Sequence, residues 1–149
     1  MRIFFYKLKT ALAVGVAVTV ALAVLFCFRT ASVCRLAEFS GARTFYLCSS
    51  SAWALQKSTL SVSDCFAVRG ESVRFARPNG GADEIAQDIA NRYGATVVAK
   101  ENACGTVSYY AYIPNGWASV CVNGAQVNLH IAVGETQCAV GTPIIFGGF

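Results

Sequence analysis

The residues best suited to acid–base or nucleophilic chemistry are one histidine, His130, and seven cysteines. A cysteine beside a histidine is a common nucleophile pair in enzymes. Cys121 is predicted to share a hairpin face with His130, but about two cross-strand pairs away and beyond easy hydrogen-bond reach. No two cysteines form a Cys-x-x-Cys pair, so neither a zinc site nor a thioredoxin-type motif is indicated. We therefore expect no catalytic residue, no metal ligand and no cofactor.

Acidic residues cluster after Pro78-Asn79-Gly80-Gly81, where a helix is predicted to begin. Asp83, Glu84 and Asp88 offer oxygen ligands for a metal, yet the positive end of the helix dipole also favours acids in the first turn. We interpret them as a solvent-exposed helix face. The two glycines lack the G-x-G pattern and nearby lysine of a phosphate-binding loop, so they are interpreted as the loop leading into the helix.

A row of aromatic side chains is the second candidate site. Asn123-Gly124 between alternating apolar residues predicts a two-residue hairpin turn, which would place Trp117 opposite His130. Tyr110 and Tyr112 share one side of a neighbouring strand. The strip of Tyr110, Tyr112, Trp117 and His130 would suit a peptide or glycan ligand. The alternative is that another segment covers this face and that the aromatic side chains belong to the core.

One helix and several strands must position these residues. In residues 82–93, apolar side chains recur at positions 85, 89 and 93, which predicts an amphipathic helix capped by Gly94. Residues 52–57 are expected to form a helical turn or a loop. Residues 65–68 and 72–76 flank a glycine-centred break at 69–71, which suggests a hairpin or a bulge. Further strands are predicted by alternation and β-branched or aromatic residues at 43–48, 96–100, 106–113, on both sides of Asn123-Gly124, and at 142–146. The predicted fold class is α+β, with a twisted, mainly antiparallel sheet and one main helix on one face.

Residues 11–28 contain no charged side chain, and Thr19 is the only polar one. As a helix they would be roughly 27 Å long, about the thickness of a hydrocarbon core. A secretory signal has a shorter apolar region of about 7–15 residues before a small-residue cleavage site, whereas this run ends in Phe26-Cys27-Phe28-Arg29. We expect an uncleaved transmembrane signal anchor. Cleavage near residues 30–32 and lipidation of Cys34 are the alternatives.

The predicted organisation is a basic tail (1–10), a transmembrane helix (11–28), a juxtamembrane linker (29–41) and an α+β domain (42–149). Basic residues flank both ends of the helix, but those before it are more compact, which favours an internal amino terminus. We expect a single-pass plasma-membrane protein with an extracytoplasmic domain. In that compartment the six cysteines outside the membrane helix either form disulfides or remain small buried side chains.

The formal charge of +4 comes entirely from the flanks of the apolar run. Arg2, Lys7, Lys9 and Arg29 account for it, and residues 30–149 contain eight basic and eight acidic side chains. A neutral domain has no excess of positive charge with which to neutralise phosphates. We therefore expect no nucleic-acid partner.

Four short stretches carry a resemblance to a known family: Val-Arg-Gly-Glu-Ser-Val at 68–73, Tyr-Gly-Ala at 93–95, Ser-Tyr-Tyr-Ala-Tyr at 108–112 and Val-Gly-Thr-Pro-Ile-Ile at 140–145. Over residues 60–149 the chain resembles the YwmB-type proteins of Firmicutes, whose soluble part is similar to the TATA-box-binding-protein fold. The resemblance implies an amino-terminal export or anchor segment and brings no catalytic residues. A likeness of fold does not imply DNA binding.

These observations favour a membrane-anchored, non-catalytic domain that binds a protein or a cell-wall ligand of the envelope through its sheet. The alternative is a thiol enzyme or hydrolase displayed at the membrane, in which His130 acts with a cysteine.

Overall fold

The computed structural model describes residues 2–47, 56–114 and 117–146. The chain divides into two compact units, Met1–Ser32 and Val33–Phe149. The first contains helix α1, Arg2–Val33, except for its last residue. Within it, Lys9–Arg29 is long and apolar enough to cross a membrane, and no other described helix meets that criterion. The hydroxyl of Thr19 donates a hydrogen bond to the Gly15 carbonyl at 2.9 Å, which satisfies the one polar side chain of the apolar run within the helix itself.

The second unit is α+β, which confirms the predicted class. Its main element is a seven-stranded antiparallel sheet. Its strands are β1 (Ala42–Tyr46), β2 (Gln56–Lys57), β3 (Gly70–Ala76), β4 (Thr96–Ala103), β5 (Thr106–Tyr112), β8 (Leu129–Val133) and β9 (Gln137–Thr142). In the sheet they follow the order β2-β1-β3-β9-β8-β5-β4. A separate two-stranded ribbon consists of β6 (Val120–Val122) and β7 (Ala125–Val127).

Helix α2, Ala82–Arg92, packs against one face of the sheet and confirms the predicted main helix. Its buried stripe includes Ile85 and Ile89, and burial of each such side chain is worth roughly 1.5–3 kcal/mol. The opposing core side chains alternate along β8, where Leu129, Ile131 and Val133 are buried against the helix side. As predicted, Gly94 caps the helix. Its φ of 60° lies in the left-handed region, which a residue without a Cβ adopts without steric cost.

The opposite face of the sheet is covered by residues 143–146, which follow β9. Ile145 packs on Ala132 and Ala139, and the Phe146 ring meets the Tyr46 ring edge-on at 4.9 Å. A Cβ added at Gly141 would lie 2.5 Å from Cγ1 of Ile145, so glycine gives this covering segment room to approach the strand. The predicted strand at 142–146 is therefore wrong, because the chain leaves the sheet at Thr142.

The hairpin or bulge predicted around residues 69–71 is also wrong. Asp64–Phe66 forms a short 3-10 helix, and β3 runs without a turn between β1 and β9. Gly70 serves close packing here, since an added Cβ would lie 2.3 Å from the Thr142 carbonyl oxygen. Of the helical turn expected at 52–57, residues 52–55 lie outside the described part of the chain, and Gln56–Lys57 is strand β2.

The Asn123-Gly124 turn is confirmed, with φ values of 49° and 83° and the predicted pairing of Val120 with Val127. The pairing does not continue to Trp117 and His130, so that part of the predicted register is wrong. The Asn128 side chain interrupts the ribbon by accepting from the Ile113 amide at 2.7 Å and donating to its carbonyl at 2.9 Å. Both edges of β8 are already occupied by β5 and β9.

Part of the segment expected as a linker, residues 29–41, packs into the second unit. Leu36 is completely buried, and its amide donates to the Glu71 carboxylate at 2.7 Å. The Arg43 guanidinium forms an ion pair with the same carboxylate and donates to the Leu36 carbonyl at 3.0 Å. Burial raises the pKa of Glu71, an effect that the Leu36 amide and Arg43 oppose. The folded unit thus begins at Val33, before the boundary predicted at residue 42.

We expect Glu71→Ala to lower the free energy of unfolding by about 3 kcal/mol, because removing one partner of a buried ion pair leaves the other charge and its hydrogen-bonding groups uncompensated. Urea unfolding of the full chain in mild detergent, followed by near-UV circular dichroism, measures the change. Glu101→Ala is the matched control, since Glu101 is exposed on β4, and it should leave the midpoint unchanged. Equal midpoints for the two variants would contradict a stabilising role for the Glu71 contacts.

Candidate functional site

The four residues of the predicted aromatic strip do not lie in one row. Tyr110 and His130 are cross-strand partners, and their rings stack at 4.6 Å on the face opposite α2. Tyr112 follows on β5 and is 37% exposed. Trp117 instead packs against the core on the α2 side, with its ring 5.5 Å from the ring of Tyr93. The strip thus divides into a pair on one face and a separate tryptophan.

His130 is buried in the centre of the sheet, with 6% of its surface exposed. Its Nδ1 accepts a hydrogen bond from the Ile145 amide at 3.2 Å, while its Nε2 is buried and has no hydrogen-bond partner among the described residues. Burial lowers the pKa of His130 to about 4, so the ring is neutral at pH 7. Cys121 lies in the separate ribbon opposite Gln126. The described geometry therefore provides no Cys121–His130 pair for the thiol-enzyme alternative.

The acidic residues at the start of α2 point to separate partners. Asp83 accepts from Lys100 at 2.5 Å and from the Tyr109 hydroxyl at 2.8 Å, and the Lys100 bond is the main cause that lowers its pKa. Asp88 pairs with Arg92 one turn later at 2.6 Å. Within the described ranges, no three His, Cys, Asp or Glu side chains converge as metal ligands. The exposed positions of these acids match the interpretation as a solvent-exposed helix face.

A groove with a volume of about 580 Å³ lies beside α2. Four segments form it: residues 38–40, the end of β3, the loop at 78–79 and the exposed side of α2. Apolar side chains form its floor, namely Phe39, Phe75, Ile85 and Ile89, and carboxylates stand along its rim, namely Glu38, Glu84 and Asp88. We call it the α2 groove.

A row of stacked rings positions the segment that forms one wall of the α2 groove. The Phe39 ring lies between those of Phe75, at 5.0 Å, and Tyr93, at 6.3 Å, with interplanar angles of 22° and 21°. The row continues to Trp117, above which the Arg35 guanidinium lies 5.0 Å from the ring centroid. Aromatic pairs contribute about 0.5–1.5 kcal/mol each beyond area burial. Segment 35–39 is therefore held by side-chain stacking as well as by the Glu71 hydrogen bonds.

Tyr93 brings a polar group into this row. Burial raises the pKa of its hydroxyl, and the nearby Glu38 carboxylate adds to the effect. The Oη atom is buried and makes no hydrogen bond of normal geometry with a described residue. The Glu38 carboxylate on the groove rim is exposed, so it is accessible to a ligand.

Sequence reasoning did not find the α2 groove, because its residues come from distant parts of the chain and one wall lies in the expected linker. Leu36 and Phe39 are the one sequence signal that the expected linker packs against the domain, since two large apolar side chains are unusual in a solvated linker. No protein-family model, no curated protein and no solved structure matches this chain. The resemblance to YwmB-type proteins remains a prediction.

The buried His130 should make folding stability depend on pH. Its pKa is about 4 in the folded state against 6.5 as the ordinary value, so between these pH values the unfolded chain binds more protons. Stability is then lost as the pH falls from about 6.5 to about 4, by about 3 kcal/mol in total. Urea unfolding at several pH values should show this loss in the wild type, and His130→Gln should remove this contribution. Identical pH profiles for the two proteins would exclude a lowered histidine pKa.

Proposed function

We propose that this is a single-pass membrane protein whose non-catalytic, extracytoplasmic domain binds a protein or envelope ligand in the α2 groove. The observation that carries the proposal is the α2 groove itself, which has a volume of about 580 Å³, apolar side chains at its floor and polar side chains at its rim. Ligand sites are concave, largely apolar and bordered by a few polar groups, with typical volumes of about 300–1,000 Å³.

The anchoring part of the proposal rests on Lys9–Arg29, which has the length and hydropathy of a membrane span. The side chains of residues 11–25, 27 and 28 are exposed, as the lipid-facing residues of a lone span must be. An extracytoplasmic domain follows from the compact basic cluster before this segment. We propose the α2 groove as the binding surface instead of the aromatic strip predicted on the sheet. His130 is buried, and Trp117 packs beside Tyr93 in the row of stacked rings.

The chain contains its own probes for the side of the membrane. Cys104 is exposed at the turn between β4 and β5, whereas Cys138 is buried. A membrane-impermeant maleimide added to intact cells with an impermeant reductant should label Cys104 and leave Cys138 unmodified until the protein is denatured. Mass spectrometry of the purified protein gives both occupancies, and Cys104→Ser is the control. Labelling of Cys104 only after permeabilisation would place the domain in the cytoplasm.

A photo-reactive amino acid at Ser40 tests whether the α2 groove binds a ligand in cells. Ser40 is an exposed lining residue, so we expect a discrete adduct whose attached species can be identified by mass spectrometry. The matched position is Asn102, which is exposed on β4, and it should not give that adduct. The same adduct from both positions, or none from Ser40, would contradict the proposal.

A further inference from the structure

We propose that the ligand of the α2 groove is a cationic, apolar peptide segment of a partner protein, whose lysine or arginine side chains meet the rim carboxylates while its aliphatic or aromatic side chains cover the ring floor. This inference rests on the proposed function and gives its ligand a chemical class. It follows from the distribution of charge at the rim, from the aromatic rings at the floor and from the different segments that carry the carboxylates.

The rim carries more negative charge than its own cations compensate. Glu38, Glu84 and Asp88 contribute three carboxylates, against the single guanidinium of Arg92 among the lining residues. Arg92 is paired with Asp88 at 2.6 Å. Neither Glu38 nor Glu84 forms an ion pair with any described residue. A cationic ligand therefore gains two charge contacts without displacing an existing pair.

The Arg77 side chain does not line the α2 groove. Arg77 follows β3, but its guanidinium donates to the Gly134 carbonyl and to the Gly80 carbonyl, each at 3.0 Å. Both of its terminal nitrogens are thereby used by backbone acceptors. The Glu84 carboxylate can accept further hydrogen bonds from a ligand. Its one hydrogen bond to a described residue is a long one, from the Gly81 amide at 3.4 Å.

The rim carboxylates come from different segments of the chain and do not form a metal-ligand cluster among the described residues. A metal would need them to converge on one point, and no such convergence of three ligating side chains occurs among the described residues. Glu38 belongs to the segment before β1, whereas Glu84 lies in the first turn of α2. The two acids therefore border the groove from different segments, as they would along a peptide with separated basic residues.

The floor accounts for the apolar part of the proposed ligand. Phe39 and Phe75 are stacked and half-buried, so each presents ring surface that a ligand side chain can cover. Lysine and arginine stems pack well on such rings while their charged ends reach the rim. A neutral glycan would use the rings but not the uncompensated carboxylates, which is why we assign a cationic peptide.

The test measures peptide binding to the full chain in nanodiscs of zwitterionic lipid, with empty nanodiscs as the blank. The probe is the fluorescent octapeptide Lys-Leu-Ser-Lys-Leu-Ser-Lys-Leu, and its two twins carry glutamine or glutamate in place of lysine. We expect the lysine peptide to bind about tenfold more tightly than the glutamine twin and the glutamate twin to bind least. The difference should shrink as salt rises from about 0.05 to about 0.5 M, because exposed charges are then screened.

Two variants assign the effect to the rim. The double variant Glu38→Gln/Glu84→Gln should lower affinity for the lysine peptide about tenfold and bring it close to that of the glutamine twin. Glutamine preserves the hydrogen-bonding role of Glu84 at the start of α2, so the fold should be retained, and circular dichroism verifies it. Glu101→Gln is the matched control, because it removes one carboxylate on the opposite face of the sheet, where Glu101 accepts from Tyr110, and should leave the affinity unchanged.

The possible failures are distinguishable. Equal affinity for the lysine and glutamine peptides, or no effect of the double variant, would overturn the cationic class while leaving ligand binding in the groove intact. A carbohydrate or cell-wall adduct from Ser40, without binding of any peptide, would also overturn this inference and would still support the proposed function. Failure of all peptides together with no adduct from Ser40 would overturn both.

Discussion

The Glu71 carboxylate is the contact on which the arrangement of the second unit depends. It is completely buried, and it binds the amide of Leu36 and the guanidinium of Arg43. A buried ion pair is costly to desolvate, and apolar side chains of similar volume would often be as stable. The carboxylate instead fixes the position of the Leu36 backbone, three residues before Phe39. The stack of Phe39 between Phe75 and Tyr93, and with it one wall of the α2 groove, follows from that placement.

The two faces of the sheet have different roles because different segments cover them. α2 shields one face and leaves an open groove at its side, lined partly by its own exposed surface. The segment after β9 lies on the other face. There Ile145 packs on two alanines, and its amide donates a hydrogen bond to Nδ1 of His130. Small residues on that face, including Gly141, let the backbone come close. His130, the one histidine suited to acid–base chemistry, is thereby enclosed and neutral, whereas the α2 groove remains accessible.

Local signals predicted the fold well where one segment carries the whole signal. The α2 periodicity, the Gly94 cap and the Asn123-Gly124 turn are each set by side chains within a few residues. The wrong predictions lie where contact with a segment distant in sequence determines the local structure. Gly70 resembles a turn residue, yet it serves close approach to β9, and Asn128 ends a ribbon that alternation alone would extend. The α2 groove could not be predicted, because a buried carboxylate on β3 brings a presumed linker to its side.

The seven-stranded sheet ends at β4, whose pairing with β5 is interrupted by a bulge between Val97 and Ala99. If α1 anchors the chain, copies share a two-dimensional surface, where their encounters are far more frequent than in free solution. A long regular edge would then act as a template for sheet growth from one molecule to the next. The bulge breaks the regular spacing of the backbone amides and carbonyls along this edge. The irregular strand is therefore a poorer template for pairing with a second copy than a regular edge would be.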